Sequence, residues 1–239
     1  MIFLYVFLGI LGLVALWFAF YIICSLFVDT SKEYTENSPF YRFILNAATW
    51  VAIAVLRIDL KVLGKEKLDC NKNYLFVSNH RSNLDPILSW YAFREFDIAF
   101  VSKPENFKVF TFGRIIHRCG FLPINRNDPF KAMECINKAS KLLEKRELSV
   151  GIYPEGTRNK EKEMLPFHNG VFKIAQKSKT PIAVLAIKDT DLVNKNIPFR
   201  KTKITLEVAE VFECESVVGK RTNVLGDEIR ASMEKALSK

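Results

Sequence analysis

No charged side chain occurs between Met1 and Val28, and this stretch constrains the chain more than any other. Runs such as Phe3-Leu4-Tyr5-Val6-Phe7-Leu8 and Ile22-Ile23-Cys24 would leave a helix here without a polar face. A helix apolar on every side has to be buried in something. At the α-helical rise it would be about 42 Å long against a hydrocarbon core of ~30 Å, so it crosses with tilt or keeps its ends among the headgroups. A cleaved signal peptide fits less well, because no Lys or Arg precedes the run and the run outlasts an ordinary signal core.

After the polar link Asp29 to Asn37, Ser38 and Pro39 supply an N-cap and first-turn pair for a second helix reaching about Leu56. Arg42, Asn46 and Thr49 fall on one narrow face, amid Phe40, Phe43, Ile44, Trp50, Val51 and Ile53. Such a helix can lie in the interface, return as a hairpin beside the first, or pack on a core. Its wide apolar surface favours membrane association. The lysines from Lys61 onward place the succeeding domain on the cytoplasmic side, at a cell or inner membrane. Residues 1–57 are thus read as transmembrane or interfacial helices and 58–239 as a separate domain.

From Asp59 the pattern changes to short apolar runs alternating with amphipathic segments, the signature of an α/β sheet protein. Leu148 to Tyr153 and Pro181 to Ile187 are almost continuously apolar, as central strands covered on both faces are. Ile204, Leu206 and Val208 alternate with Thr205 and Glu207, which suits a strand with one wet face. Asp128 and Pro129 open a helix whose stripe of Phe130, Met133, Ile136, Ala139 and Leu143 is expected in the core. Leu225, Ile229, Met233 and Ala236 make a similar stripe near the C-terminal end.

A net charge of +9 favours anionic partners: an acidic membrane surface, a phosphorylated substrate, an acidic carrier protein or nucleic acid. Nucleic acid is the weakest of these, since no aromatic-plus-basic motif or zinc pattern accompanies the charge. Cys24, Cys70, Cys119, Cys135 and Cys214 are scattered without a C-x-x-C, which points to a reducing compartment without disulfides. With only His80, His117 and His168 besides, no metal-ligand cluster is expected.

Two polar loops come directly after apolar runs. In Asn79-His80-Arg81-Ser82-Asn83-Leu84-Asp85-Pro86, the histidine lies five positions before the aspartate. On one helix that spacing turns ~500°, so the two would not share a face. The better reading ends a strand near Ser78, turns through Arg81 to Leu84, and starts a helix with Asp85 as N-cap and Pro86 at its first position. Taken alone, the pair reads equally as a helix cap beside a loop histidine or as a catalytic dyad.

Tyr153-Pro154-Glu155-Gly156-Thr157-Arg158 is the second loop. Ligands of open α/β sheets collect at carboxyl strand ends, so the two loops could face one cleft. Gly156 permits close backbone approach, Thr157 offers a hydroxyl, and Arg158 offers a fork suited to phosphate, although the composition is also that of an ordinary turn. Between the loops, Gly120-Phe121-Leu122-Pro123-Ile124-Asn125-Arg126 ends on an arginine that could complete a phosphate clamp with Arg158. Lys103, in Ser102-Lys103-Pro104-Glu105, is a weaker candidate of the same kind.

Together these blocks resemble the glycerolipid acyltransferases, most closely the 1-acylglycerol-3-phosphate (lysophosphatidate) branch. The resemblance covers about Tyr74 to Ile187 and rests on NHRSNLD, GFLPINR, YPEGTR and Thr180-Pro181-Ile182-Ala183-Val184, in the family's order. Tyr153 stands where the family often has Phe, a change of little expected consequence; Asn125 stands where an acidic residue is common, which bears on acceptor preference. The resemblance implies a mixed, largely parallel sheet flanked by helices.

It also implies a reaction. A histidine's ordinary pKa of ~6.5 suits neutral His80 to take a proton from an alcohol while Asp85 orients the ring. The acceptor would be the sn-2 hydroxyl of a lysophosphatidate and the donor acyl-CoA or acyl carrier protein, giving phosphatidate with no cofactor beyond that co-substrate. Arg126 and Arg158 would hold the acceptor phosphate while Glu155 and Gly156 shape its site. A covalent route through Ser78 or Ser82 lacks a G-x-S-x-G elbow. Another lysolipid or amino-lipid acceptor, or a non-catalytic anionic-lipid-binding protein, are the rival readings; the presence of both His80 and Asp85 speaks against the last.

Overall fold

The computed structural model describes residues 1–161 and 163–238. Among the described residues, seven strands form one sheet in the order β1-β7-β6-β2-β5-β3-β4. They are β1 (Ile58–Leu63), β2 (Leu75–Ser78), β3 (Ile98–Ser102), β4 (Leu122–Pro123), β5 (Ser149–Ile152), β6 (Ile182–Lys188) and β7 (Thr202–Phe212). Every neighbouring pair is parallel except β6 against β7. The mixed, largely parallel sheet expected from the sequence is therefore present.

Ten α-helices among the described residues accompany it: α1 (Ile2–Leu26), α2 (Pro39–Val55), α3 (Asp85–Ala92), α4 (Pro104–Phe107), α5 (Phe110–Arg118), α6 (Pro129–Glu144), α7 (Lys173–Ser178), α8 (Val193–Asn196), α9 (Cys214–Val217) and α10 (Thr222–Leu237). The period-2 alternation of the central strands sorts their side chains into two cores. Leu75, Val77, Ala99, Val101, Ile182 and Val184 meet α6, α7 and α10. Tyr74, Phe76, Ile98, Phe100, Ala183 and Leu185 meet the aromatic cluster of α3 and its flanks, with α2 and α5. Two buried faces explain why these strands read as continuous apolar runs.

The C-terminal stripe Leu225, Ile229, Met233 and Ala236 is buried as expected. On α6 the expectation holds only in part. Asp128 caps the helix, accepting from the N–H groups of Phe130 (3.0 Å) and Lys131 (3.2 Å), and Ile136, Ala139 and Leu143 are buried. Phe130, however, is 90% exposed and Met133 is 38% exposed. The buried face of α6 is instead carried by Cys135, Ile136, Ala139, Leu142 and Leu143, so the stripe is displaced to one side of the helix in its first turns.

Over Leu4–Leu26, α1 is long and apolar enough to cross a membrane. Leu4, Phe7, Leu8, Leu11, Leu13 and Leu16 are all exposed. Among the described residues, close packing is confined to its C-terminal end: Tyr21, Cys24, Ser25 and Val28 are buried, the Tyr41 hydroxyl donates to the Cys24 carbonyl (3.1 Å), and Arg114 donates to the Val28 carbonyl (3.2 Å).

The narrow polar face of α2 points into the protein. Arg42 donates to the carbonyls of Ile98 (3.2 Å) and Cys119 (3.1 Å) and to Asn37 Oδ1 (2.6 Å), faces Asp97 at 3.3 Å, and lies 4.9 Å from the Trp90 ring centre. Asn46 Oδ1 accepts the Trp90 indole N–H at 2.6 Å. Phe40, Phe43, Trp50 and Val55 face outward and are exposed. Such a helix is inverted relative to one on a water-facing surface.

Arg42→Ala should destabilise the fold by about 3 kcal/mol, because it strands buried carbonyls and an acidic neighbour. The value sits at the low end for a broken buried pair, since Asp97 keeps 33% of its side chain exposed. Thermal unfolding in detergent measures this; an unchanged melting temperature would deny Arg42 its anchoring role.

Candidate active site

β2 and β5 are adjacent and parallel, with Leu75 opposite Val150, Phe76 opposite Gly151 and Val77 opposite Ile152. Their loops therefore leave the same edge side by side, although the sequences lie far apart. Asn79 starts the first loop by clamping the β6 backbone: its amide donates to the Ile187 carbonyl (2.9 Å) and accepts the Ile187 N–H (2.8 Å). From there the chain turns so that His80 Nδ1 lies 2.8 Å from Asp85 Oδ2.

The same Oδ2 accepts the N–H groups of Arg81 (2.6 Å) and Ser82 (2.7 Å). An oxygen that already accepts two backbone donors carries no proton of its own, which assigns the shared proton to Nδ1 and leaves Nε2 as the basic nitrogen. Leu84, not Asp85, occupies the N-cap, and Asp85 is the first helical residue, with Pro86 next. The carboxylate reaches back over the turn instead of capping α3. The expected N-cap role of Asp85 is thus corrected: Oδ2 holds both turn and ring, and Oδ1 has no hydrogen-bond partner among the described residues. Asp85 is completely buried and the His80 side chain is 17% exposed. The imidazole stacks on Tyr153, ring centres 4.4 Å apart.

Glu155 lies at the junction of the loops. Its Oε1 accepts the His80 N–H (2.9 Å) and its Oε2 accepts the Leu165 N–H (3.0 Å), and the residue is buried. Both oxygens are thus engaged with backbone, which sets Glu155 to hold the His80 loop. The His80 carbonyl accepts the Asn159 N–H at 2.7 Å, a second tie between the loops.

Gly156 has φ +71°, and a Cβ there would come within 2.8 Å of His168 Cδ2 and 3.7 Å of Arg126 Cδ. Only glycine meets both the conformation and the space. Arg126, Gly156 and His168 line the mouth of a cavity of about 380 Å³ whose walls include Ile124, Ile136 and Ile152. Thr157 and Arg158 come next on the same loop, Thr157 exposed. Lys103 stands at the end of β3, two strands from β2, so at least about 10 Å from the dyad's strand.

Neither candidate serine is bonded to the imidazole: Ser78 donates to the Asn79 carbonyl (3.3 Å) and Ser82 Oγ accepts the Leu84 N–H (3.2 Å). Burial pushes the Cys119 and Cys135 thiols up to about 12, so neither supplies a thiolate at neutral pH. Sequence reasoning passed over His168 and the anchoring roles of Asn79 and Asn159. Asn79 opens the NHRSNLD block; nothing local marks His168, whose place is defined by a glycine twelve positions away.

A fixed imidazole with a free basic nitrogen can take a proton from a hydroxyl, and Tyr153, on which it stacks, lines the same cavity as Arg126. An acyltransferase family model matches residues 59–188, more than half of the 239 residues, and the chain belongs to that family. It is 27% identical over 183 residues to a 1-acyl-sn-glycerol-3-phosphate acyltransferase of Saccharomyces cerevisiae, spanning 75% of this chain and 60% of that protein. A chloroplastic 1-acyl-sn-glycerol-3-phosphate acyltransferase of Brassica napus is 28% identical over 202 residues, or 83% of this chain and 56% of that one. The chain thus matches little more than half the length of these curated relatives. The crystal structure of the 1-acyl-sn-glycerophosphate acyltransferase of Thermotoga maritima shares the fold, with a TM-score of 0.67 at 20% identity over 92% of this chain and 88% of that one.

Proposed function

We propose that this protein transfers an acyl group from acyl-CoA or acyl carrier protein to the sn-2 hydroxyl of 1-acylglycerol-3-phosphate, forming phosphatidate. The observation that carries the reading is the 2.8 Å His80–Asp85 contact, which leaves Nε2 free on the edge where Arg126 and Arg158 emerge. Nε2 takes the hydroxyl proton as the oxygen attacks the thioester carbonyl. The tetrahedral intermediate expels the thiolate, which receives that proton from the imidazolium. No cofactor enters these steps, and no acyl-enzyme forms.

Arg126 and Arg158 bind the acceptor phosphate, with His168 a third group at the same mouth; Thr157 and Lys103 contribute at the periphery. A cationic mouth over an apolar cavity matches a phosphate head on an acyl chain. The bilayer is the source of that substrate. In this reading α1 and the outward face of α2 lie in the membrane, and the α/β domain sits on its cytoplasmic side.

The test is purified protein in detergent micelles with lysophosphatidate and either thioester, phosphatidate being followed by mass spectrometry. Other lysophospholipids and an amino-lipid serve as competing acceptors. Arg158→Ala should raise KM for lysophosphatidate about 10- to 100-fold with little change in the donor KM, the scale of one lost charge-assisted contact. No phosphatidate with any donor would reject the reading, and an unchanged acceptor KM would remove Arg158 from the phosphate site.

A further inference from the structure

Behind the dyad three buried polar atoms have no hydrogen-bond partner among the described residues: Asp85 Oδ1, Ser89 Oγ and Tyr153 Oη. They belong together. Ser89 comes four positions after Asp85 in α3, so both side chains leave one helix face. Tyr153 arrives from the end of β5 with its ring against His80, 4.4 Å between centres at 27°, and its hydroxyl beside Ser89 and under the influence of the Asp85 charge. Burial, reinforced by Asp85, pushes the phenol well above its ordinary range, so it keeps its proton and remains a donor.

A buried carboxylate oxygen without a donor is costly, and two buried hydroxyls that also lack a partner, Ser89 on the same helix face and Tyr153 under the His80 ring, have protons to give. We propose that Tyr153 and Ser89 are positioning residues: they hold Asp85 Oδ1 through one shared water, and so set the plane and charge of the carboxylate that steers His80. This rests on the general-base reading of His80. Oδ2 is fully occupied by the ring and two backbone N–H groups. The carboxylate plane is therefore decided by what Oδ1 meets. A phenylalanine at 153, which the family resemblance alone would treat as equivalent, would keep the stacked ring and lose the proton, so in this chain the hydroxyl is given a role separable from packing.

The charged and titratable groups around His80 are Asp85 from α3, Tyr153 under the ring, Glu155 on its backbone N–H, and Arg81 beside it, whose guanidinium is drawn to the Glu161 carbonyl and Asp191. Arg126, Arg158 and His168 stand in the neighbouring loops. A hydroxyl donating to Oδ1 spreads the charge of Asp85. Removing it strengthens the pull of Asp85 on a protonated ring, so His80 keeps its proton to higher pH.

The test is the pH profile of kcat/KM for wild type, Tyr153→Phe, Ser89→Ala and the double variant, together with NMR titration of histidine-labelled protein, in which His80→Ala assigns one of three histidines. Tyr153→Phe should move the acidic limb and the His80 titration midpoint upward by about half to one pH unit and lower the plateau kcat several-fold, with the melting temperature nearly unchanged. Ser89→Ala should shift both the same way by less. An unmoved midpoint in Tyr153→Phe overturns the proposal, whatever happens to the rate. A moved midpoint in a protein without transferase activity would support the positioning and reject the catalytic reading, so the two can fail separately.

Discussion

His80→Ala is expected to lower kcat for acyl transfer by about 10²- to 10⁴-fold while leaving the fold intact. The expectation rests on what the side chain does and does not hold together. The backbone ties of residue 80, its N–H to Glu155 and its carbonyl to the Asn159 N–H, survive the substitution. Asp85 keeps the N–H groups of Arg81 and Ser82. What disappears is the imidazole touching Asp85 and the stacking contact with Tyr153. Steady-state kinetics beside a melting curve separate the two effects. A variant retaining more than about a tenth of wild-type kcat would show that another group takes the proton.

The second large effect is expected at Glu155. Glu155→Ala removes acceptors from the His80 and Leu165 N–H groups inside a buried junction. Each orphaned donor costs about 1–3 kcal/mol, offset in part because a charge no longer has to be buried. A net loss of roughly 2–5 kcal/mol should lower the melting temperature by about 5–15 °C. Activity should fall further than stability does, because the loop that aims the imidazole loses its anchor. Glu155→Gln retains one acceptor oxygen and should be intermediate. If Glu155 instead touched the acceptor, KM for lysophosphatidate would rise with the melting temperature unmoved.

The contrast between these residues shows where the sequence was legible. The spacing of His80 and Asp85 excluded a shared helix face and called for a strand, a turn and a helix, and the N-cap of α3, Leu84, lies one residue before the expected one. The apolar runs marked β5 and β6, and the C-terminal stripe marked the buried face of α10. All of these are short-range consequences of helix and strand periodicity. The tie that Glu155 makes between the loops has no local signal. Its partner on His80 lies 75 positions away, across a strand pairing that no local pattern specifies.

The inward turn of the polar face of α2 was not legible for a related reason. Periodicity separates a polar face from an apolar one, and water-facing proteins turn the polar face outward. Here Arg42 and Asn46 face the carbonyls and indole of the interior while Phe43 and Trp50 face out. Phe130 was misplaced because the buried stripe of α6 is displaced to one side of the helix in its first turns. His168 gave no local signal at all.

By itself the sequence determined the uncharged N-terminal helix, the α/β alternation, and the presence of a histidine, an aspartate and two arginines in loops after strands. These come from composition and from periods of two and 3.6 residues, which act over a few neighbours. Only the tertiary structure decided that β2 and β5 lie side by side, that Glu155 ties one loop to the other, and that the ring of Tyr153 stacks on the imidazole. Those contacts join segments distant in sequence, and what selects them is the burial of both sheet faces together with the need of each enclosed polar atom for a partner.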